Sequence, residues 1–448
     1  MKCDLFEETL LALLKDEIVQ RKEEGCKVEK ITQEFNRLGH DASDHDLEVI
    51  YRKLENLSPS PDFPYVEPSD LQGIRGQRTE GAKSELNLTD DQLYEKIYGA
   101  WLGRCAGCML GKPTEGWTKQ MIQRYLELAN AYPLTNYVPE VVPHPPGFEM
   151  DENAYENALL GRMTCAARDD DLDYMAINLQ VLERCGFSFS TNDIAETWLE
   201  RMPYKMTYTA ERVAYRNLVN NIKPPESAVY RNPYREWIGA QIRADIWGYV
   251  APGNPEFAAT LAYRDASLSH VKNGIYGEML VAAMVSAAFT TSSVDEVVRA
   301  GLSQIPASSR LAEAVRDVMK WKKECLTWTE AWGKVNSKYG SYSWIHTVNN
   351  ATMVLLGLLY AESDFERGIT TSVMTGLDTD CNGATCGSIL GAMLGSSRLP
   401  TKWVSPLNDR LKTAVFGFLD CRISELAKRT FSIAKRARLE GIRRDSAP

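Results

Sequence analysis

The segment Ala384-Thr385-Cys386-Gly387-Ser388-Ile389-Leu390-Gly391-Ala392-Met393-Leu394-Gly395 is too apolar to lie on a protein surface, so it reads as a buried helix. Directly before it stands Gly376-Leu377-Asp378-Thr379-Asp380-Cys381-Asn382-Gly383, with two acids in a glycine-flanked turn. Acids at the start of a buried helix sit in or near the core. Buried carboxylates are paired or bind a metal. Any fold for this chain has to bring cations to Asp378 and Asp380.

Two earlier segments carry related features. In Gly99-Ala100-Trp101-Leu102-Gly103-Arg104-Cys105-Ala106-Gly107-Cys108-Met109-Leu110-Gly111, glycines recur every four residues, which lets a helix pack tightly against its neighbours. Lys112-Pro113 ends that helix and leaves Glu115 on a loop, free to swing over a site. Cys105 and Cys108 have a metal or redox spacing, but no second Cys or His pair completes a zinc site. In Arg168-Asp169-Asp170-Asp171-Leu172-Asp173, the acids repel one another unless cations or a helix N-terminus offset them. A helix cap with solvated acids explains this segment in structural terms. Oxygen ligands from two distant Asp clusters suit Mg²⁺, Mn²⁺ or Ca²⁺ better than zinc.

The rest of the chain has helical spacing: 171–184, 191–201, 255–265, 274–289, 294–302, 309–325, 347–360, 365–375 and 384–394. No strand series with hairpin turns, P-loop or dinucleotide fingerprint is evident. The fold class is therefore all-α, a compact multi-helix bundle. Residues 1–57 read as a small helical module suited to contact a protein, and the Pro/Gly-rich stretch 58–87 as an irregular linker. Residues 88–430 read as the main domain and 431–448 as a basic C-terminal tail. With 51 basic against 60 acidic residues the net charge is -9, which argues against a dedicated nucleic-acid binder. The longest apolar run, Met279–Phe289, is too short for a bilayer, and the first residues are acidic where a signal peptide would be basic. The chain reads as cytoplasmic, with reduced thiols and no membrane partner.

In this order, the three motif segments resemble the ADP-ribosylglycohydrolase family over roughly residues 90–420, in a longer, divergent bacterial-type branch. That family pattern has a glycine-rich helix ending near a Glu, a Thr/Ser-Asp-Asp segment leading into a helix, and a late Gly-x-Asp-x-Asp-Thr turn. The resemblance implies an all-α bundle with two Mg²⁺ ions (Mn²⁺ as the substitute) that hydrolyses an N- or O-glycosidic bond at the ribose anomeric carbon of an ADP-ribosyl substrate. It implies Asp169, Asp170, Asp171, Asp378 and Asp380 as metal ligands, with Glu115 and Asp170 as catalytic groups and His270 near the site. Two ions would offset four of the charges on these acids. Cys381 stands where the family has its ligating Thr or Ser, which leaves Asn382 as a replacement ligand. The Thr or Ser that leads the early acids is replaced by Arg168 or Asp169, and Cys108 stands where many members have Asp.

Two more segments read as a substrate wall: Tyr234–Asp245, with Trp237, and Ser343–Asn350, whose His346, Asn349 and Asn350 open a helix where an anion can bind. For these aromatics and for His270 and His346, a structural role is an equal reading. A substrate lacking ADP, and an ADP-ribose-binding protein without turnover, are the alternative functions.

Overall fold

A computed structural model describes residues 9–39, 42–81 and 86–439. Helices α1 (Leu10–Glu23), α2 (Glu29–Leu38) and α3 (Asp44–Glu55) come first, then α4 (Leu71–Gln77). The long α5 (Asp90–Gly111) follows, then α6 (Lys119–Leu128), α7 (Glu152–Asn157), α8 (Asp170–Cys185), α9 (Thr191–Arg201) and α10 (Thr209–Val219). Next are α11 (Asp245–Tyr249), α12 (Pro255–Ala266), α13 (Asn273–Ala288), α14 (Val294–Leu302), α15 (Arg310–Glu324) and α16 (Trp328–Tyr339). Helices α17 (Thr347–Ala361), α18 (Phe365–Met374), α19 (Thr379–Leu394), α20 (Thr401–Val404) and α21 (Ile423–Leu439) complete the bundle. The described residues add only a two-stranded ribbon, β1 (Arg410–Lys412) antiparallel to β2 (Asp420–Arg422), with Leu411 opposite Cys421. No described helix is long and apolar enough to cross a membrane.

The two glycine-rich segments meet each other. Helices α5 and α19 run antiparallel, and Gly99, Gly103, Gly107 and Gly111 face Gly391, Gly387, Gly383 and Thr379. A Cβ at Gly99 would lie 2.6 Å from the Gly391 carbonyl oxygen, and at the other three positions it would overlap the facing carbonyl more severely. The backbones approach this closely because no side chain stands between them. The contact sets the end of α5 against the start of α19. Helix α19 begins at Thr379, five residues before the expected Ala384. Asp380 and Asn382 therefore ride on its first turn and are not in a preceding loop.

Several sequence expectations are adjusted by local chemistry. Helix α4 interrupts the stretch expected to be irregular because Asp70 caps it through the Gly73 amide at 2.7 Å. The ribbon went unseen because its strands are three residues each, too short to show alternation. The basic stretch expected as a tail begins inside α21, which runs through residue 431 and packs on α5. There, Trp101 Nε1 donates to Thr430 Oγ1 at 3.1 Å and Lys435 pairs with Asp90 at 2.6 Å. Arg443, Arg444, Leu5, His40 and Asp41 lie outside the described residues. The nine cysteines among the described residues are free.

Helices α1–α3 enclose a small core of Leu14, Val28, Ile31, Phe35, Leu47, Ile50, Tyr51 and Leu54. Their outer face is bound to the main body by buried charge. Arg235 pairs with Glu17 at 2.6 Å and with Glu24 at 3.0 Å, and Gln20 donates to Glu236 at 2.8 Å. Glu236 also binds Arg310 at 2.7 Å, and Arg310 binds Glu67 at 2.7 Å. Glu23 faces His346 at 3.7 Å. Burial, then the nearby Glu236, pushes the Glu23 carboxyl up to about 7.

Two outcomes follow from this packing. Gly103→Ala sets a methyl against backbone and should cost about 1–3 kcal/mol, whereas Gly333→Ala in α16, where a Cβ meets nothing within 4 Å, should gain about 1 kcal/mol. Urea unfolding checks both. The raised Glu23 means that the folded chain holds a proton that the unfolded chain releases near pH 4.5. Its contribution is therefore full below pH 4.5 and lost as pH rises through about 7. Glu23→Gln should raise stability at pH 8 by about 2–3 kcal/mol and leave it unchanged at pH 4, as read from melts at both pH values.

Candidate active site

Glycine packing delivers the first carboxylate. After Gly111 a single 3₁₀ turn, Lys112–Thr114, carries the chain to Glu115. Thr114 donates to Thr379 Oγ1 at 3.1 Å, and Thr379 donates to the Gly111 carbonyl at 2.8 Å, so the two chain ends are fixed to each other. The Gly116 amide donates to Leu377 at 2.9 Å and the Leu377 amide to Trp117 at 3.0 Å. This places the Glu115 loop beside the Asp378 turn. Glu115 is exposed, while Asp378 and Asp380 are buried.

Helix α8 supplies the second group of acids. Asp169 is its N-cap, and its Oδ1 accepts from the Asp171 amide at 3.0 Å. Its other oxygen is ion-paired with the Lys112 ammonium. Asp171 is held by Arg104 at 2.9 Å, and Arg104 also binds Asp245 at 2.8 Å and the Ile242 carbonyl at 2.5 Å. Asp170 is partly exposed. Asp173 has both oxygens engaged, by Arg168 at 2.8 Å and by the Ala414 amide at 2.7 Å, and ties α8 to the ribbon.

Ligand-type atoms converge in three overlapping sets: Glu115, Asp378 and Asp380; Asp171, Asp380 and Cys381; and Cys108, Asp169 and Asp171. Within each set they lie within 4.8 Å of one another. Asp380 belongs to two sets and Asp171 to two, so the three form one centre. Burial, then neighbouring charge, sets its electrostatics. Burial and then Asp169 push Asp170 up to about 8. Burial and then Asp380 hold Asp378 well above the usual carboxylate range, and burial and then Asp169 raise Asp380. Glu115 is raised by Asp380 first and then by the protein crowded around its solvent-facing carboxylate. Asp169 alone is held low: burial opposes its charge, but the Lys112 ammonium prevails. The Cys108 and Cys381 thiols are pushed up by burial and then by the acids, so they stay protonated.

This donor set fits a hard divalent cation. Asp171 Oδ2, Asp378 Oδ1, Asp380 Oδ1 and Asn382 Oδ1 are buried and have no hydrogen-bond partner. Unpartnered buried carboxylate oxygens are costly, and a cation would satisfy them. A protonated thiol at Cys381 suits such an ion poorly.

The other expected site residues lie around this centre. Asn350 Oδ1 accepts from the Asp378 amide at 3.2 Å and from Asn382 Nδ2 at 2.8 Å. Its own Nδ2 donates to Trp344 at 2.8 Å and to His346 at 3.0 Å. Asn349 donates to Ser343 at 2.9 Å. The two amides thus position the Asp378 turn and the 343–346 loop. His346 is buried, and its Nδ1 accepts from the Val348 amide at 3.1 Å, so the ring caps α17 where an anion was expected. Burial lowers its imidazole to about 3. His270 is buried, 2.8 Å from Ser269 Oγ, and burial and then Arg243 keep it neutral. Trp237 is partly buried, its ring 4.4 Å from Tyr234. Sequence reading passed over Arg104 and Lys112. The available signal was that Arg104 is the one charge between Lys96 and Lys112, in a helix too apolar to be exposed. A charge in such a place has a partner. Trp344, within the segment expected as a substrate wall, is 41% exposed and its ring flanks Gly116.

Arg104→Met removes the partner of two buried carboxylates. It should cost about 3–5 kcal/mol in denaturant unfolding. Loss of less than about 1 kcal/mol would show that the pairs are not what holds α8 on α5.

A family model described as ADP-ribosylglycohydrolase matches residues 89–440. No curated protein sequence matches the chain. A solved "ADP-ribosylglycohydrolase-related protein complex" aligns over 77% of this chain and 99% of its own, at 18% identity and a TM-score of 0.48. With the family model covering most of the length, the chain belongs to the ADP-ribosylglycohydrolase family and is a glycosidic-bond hydrolase.

Proposed function

We propose that the chain is a Mg²⁺- or Mn²⁺-dependent hydrolase that cleaves an N- or O-glycosidic bond at the ribose anomeric carbon of an ADP-ribosylated protein, nucleic acid or small molecule. The observation that carries this reading is the set of unpartnered oxygens on Asp171, Asp378 and Asp380, converging beside the solvent-facing Glu115. A bound divalent ion would orient ribose hydroxyls and lower the pKa of water. Asp378 and Asp380 would hold it, with Asp171 and Asn382 completing the shell.

The chain's own residues supply the rest. Cleavage at ribose builds positive charge on the sugar, which nearby carboxylates stabilise. Glu115 reaches solvent, and its carboxyl is raised above the usual carboxylate range by Asp380 first, so it is suited to move a proton at the leaving group. Asp170, partly exposed and raised to about 8, is the second candidate for proton transfer. Trp344, beside Gly116, offers a flat apolar surface to a substrate entering over Glu115.

A ribosyl substrate lacking ADP is the second reading. It is favoured by the pairing of Lys112, Arg104 and Arg168 with carboxylates, which commits these cations away from a diphosphate. Hydrolysis of an ADP-ribosyl-peptide and of a simple nucleoside, compared with Mg²⁺ and after chelation, separates the readings. Turnover of the peptide alone, abolished by chelation and reduced at least about 100-fold in Asp378→Asn and Asp380→Asn, is expected. Turnover that survives chelation would defeat the metal-dependent reading. Tight ADP-ribose binding without turnover would make this chain a binding protein.

A further inference from the structure

The five acids of the centre do not share their charge equally. Asp169 has no oxygen to spare: one is ion-paired with Lys112 and the other accepts the Asp171 amide at 3.0 Å. Asp171 gives one oxygen to Arg104 at 2.9 Å and keeps one free. The remaining free buried carboxylate oxygens belong to Asp378 and Asp380. The unmet demand for a cation is thus concentrated on the α19 side of the centre. On the α5 side, demand is met by a side chain.

Lys112 is well placed to meet it permanently. Its side chain is only 8% exposed. It follows Gly111 directly, where the backbone of α5 touches that of α19, and Pro113 after it restricts the Lys112 backbone. The ammonium therefore has little room to withdraw. The third ligand-type atom near Asp169 and Asp171 is Cys108 Sγ, a poor donor to a hard ion. A second divalent ion at this place would have to displace the ammonium and then accept sulfur as a neighbour.

We propose that Lys112 is a built-in cation that takes the place of one metal ion, so that the centre holds a single divalent ion on its Asp378 and Asp380 side, with Asp169 as the partner of Lys112. This rests on the metal-dependent reading above. It makes Lys112 a charge-balancing residue: its fixed charge neutralises Asp169 at the head of α8, and the ion is held without either of them.

Metal counting tests it. Mn²⁺ binding to the full chain is measured by equilibrium dialysis and electron paramagnetic resonance, with circular dichroism as the check on folding. One ion is expected in the wild type. Lys112→Met, which frees Asp169, should bind a second ion, with the spin-coupled signature of a close Mn²⁺ pair, while Lys112→Arg should keep one. Two ions in the wild type would overturn the proposal, as would a folded Lys112→Met that still binds one. If Lys112→Met does not fold, the double variant Lys112→Met/Asp169→Asn, which removes the pair without leaving a buried charge, serves in its place. Its single-ion Kd should match that of the wild type, whereas weakening by about 10–100-fold would make Asp169 part of the metal site and overturn the proposal. No bound Mn²⁺ in any form would instead defeat the metal-dependent reading itself.

Discussion

The contact of α5 and α19, backbone against backbone, is the constraint on which the rest depends. Gly103 meets Gly387 and Gly107 meets Gly383 with no side chain between them, so the two helices have one register and one separation. That register sets Gly111 on Thr379, and from there the chain can only place Glu115 next to Asp378 and Asp380. A larger interhelical distance, the usual 8–10 Å of side-chain-mediated packing, would draw these carboxylates apart. The glycines cost helix propensity and backbone entropy. Their return is a site whose key spacing is set by main-chain atoms and is insensitive to rotamer choice.

Bringing acids into the middle of a helical bundle raises an electrostatic problem, which the fold solves in two layers. Arg104 lies fully buried on α5 and is shared by Asp171, Asp245 and backbone carbonyls, so its charge is completely satisfied and serves the architecture. Lys112, directly after the last residue of α5, answers Asp169. One oxygen each of Asp171, Asp378 and Asp380 is left without a partner. Asp245 and Asp265 also keep one unpartnered oxygen, but each is ion-paired with an arginine, whereas Asp378 and Asp380 have no ion pair among the described residues. Asp378 and Asp380, buried, adjacent and without an ion pair among the described residues, are the acids that a cation would satisfy.

Much of this was legible in the sequence, and what was not shares one physical cause. The buried nature of α19 followed from its composition, and the acids at its start followed from the cost of burying them. Helices α9 and α14 appear at the expected residues because their caps, Ser190 and Ser293, are local signals. Family resemblance linked the three acid segments that composition alone could not. The pairing of the two glycine series was not legible, since nothing in either says which helix it faces. The partner of Lys112 is 57 residues away and that of Arg104 is 141 away, and no spacing rule spans such distances. His346 and Asn350 were noticed for their side chains, but their work is to bind backbone, which depends on the fold around them.

The N-terminal helices show the same dependence at longer range. Their own core is small, and their attachment is made by Glu17, Gln20 and Glu24 reaching Arg235 and Glu236. Those two residues belong to a segment whose backbone is bonded to the loop before α17: Thr347 donates to Glu236 at 3.2 Å and Ile238 to Ile345 at 2.9 Å. From the same loop, His346 and Trp344 accept from Asn350, and Asn350 receives the Asp378 amide. A continuous line of hydrogen bonds therefore runs from α1 to the acid turn. The side-chain links other than the one to Trp344 are buried and would leave an unpaired polar group if broken, at a cost of about 1–3 kcal/mol apiece. Helices α1–α3 are thus better understood as part of the wall that holds Asp378 in place than as an appendage, even though the family match begins only after them, at residue 89.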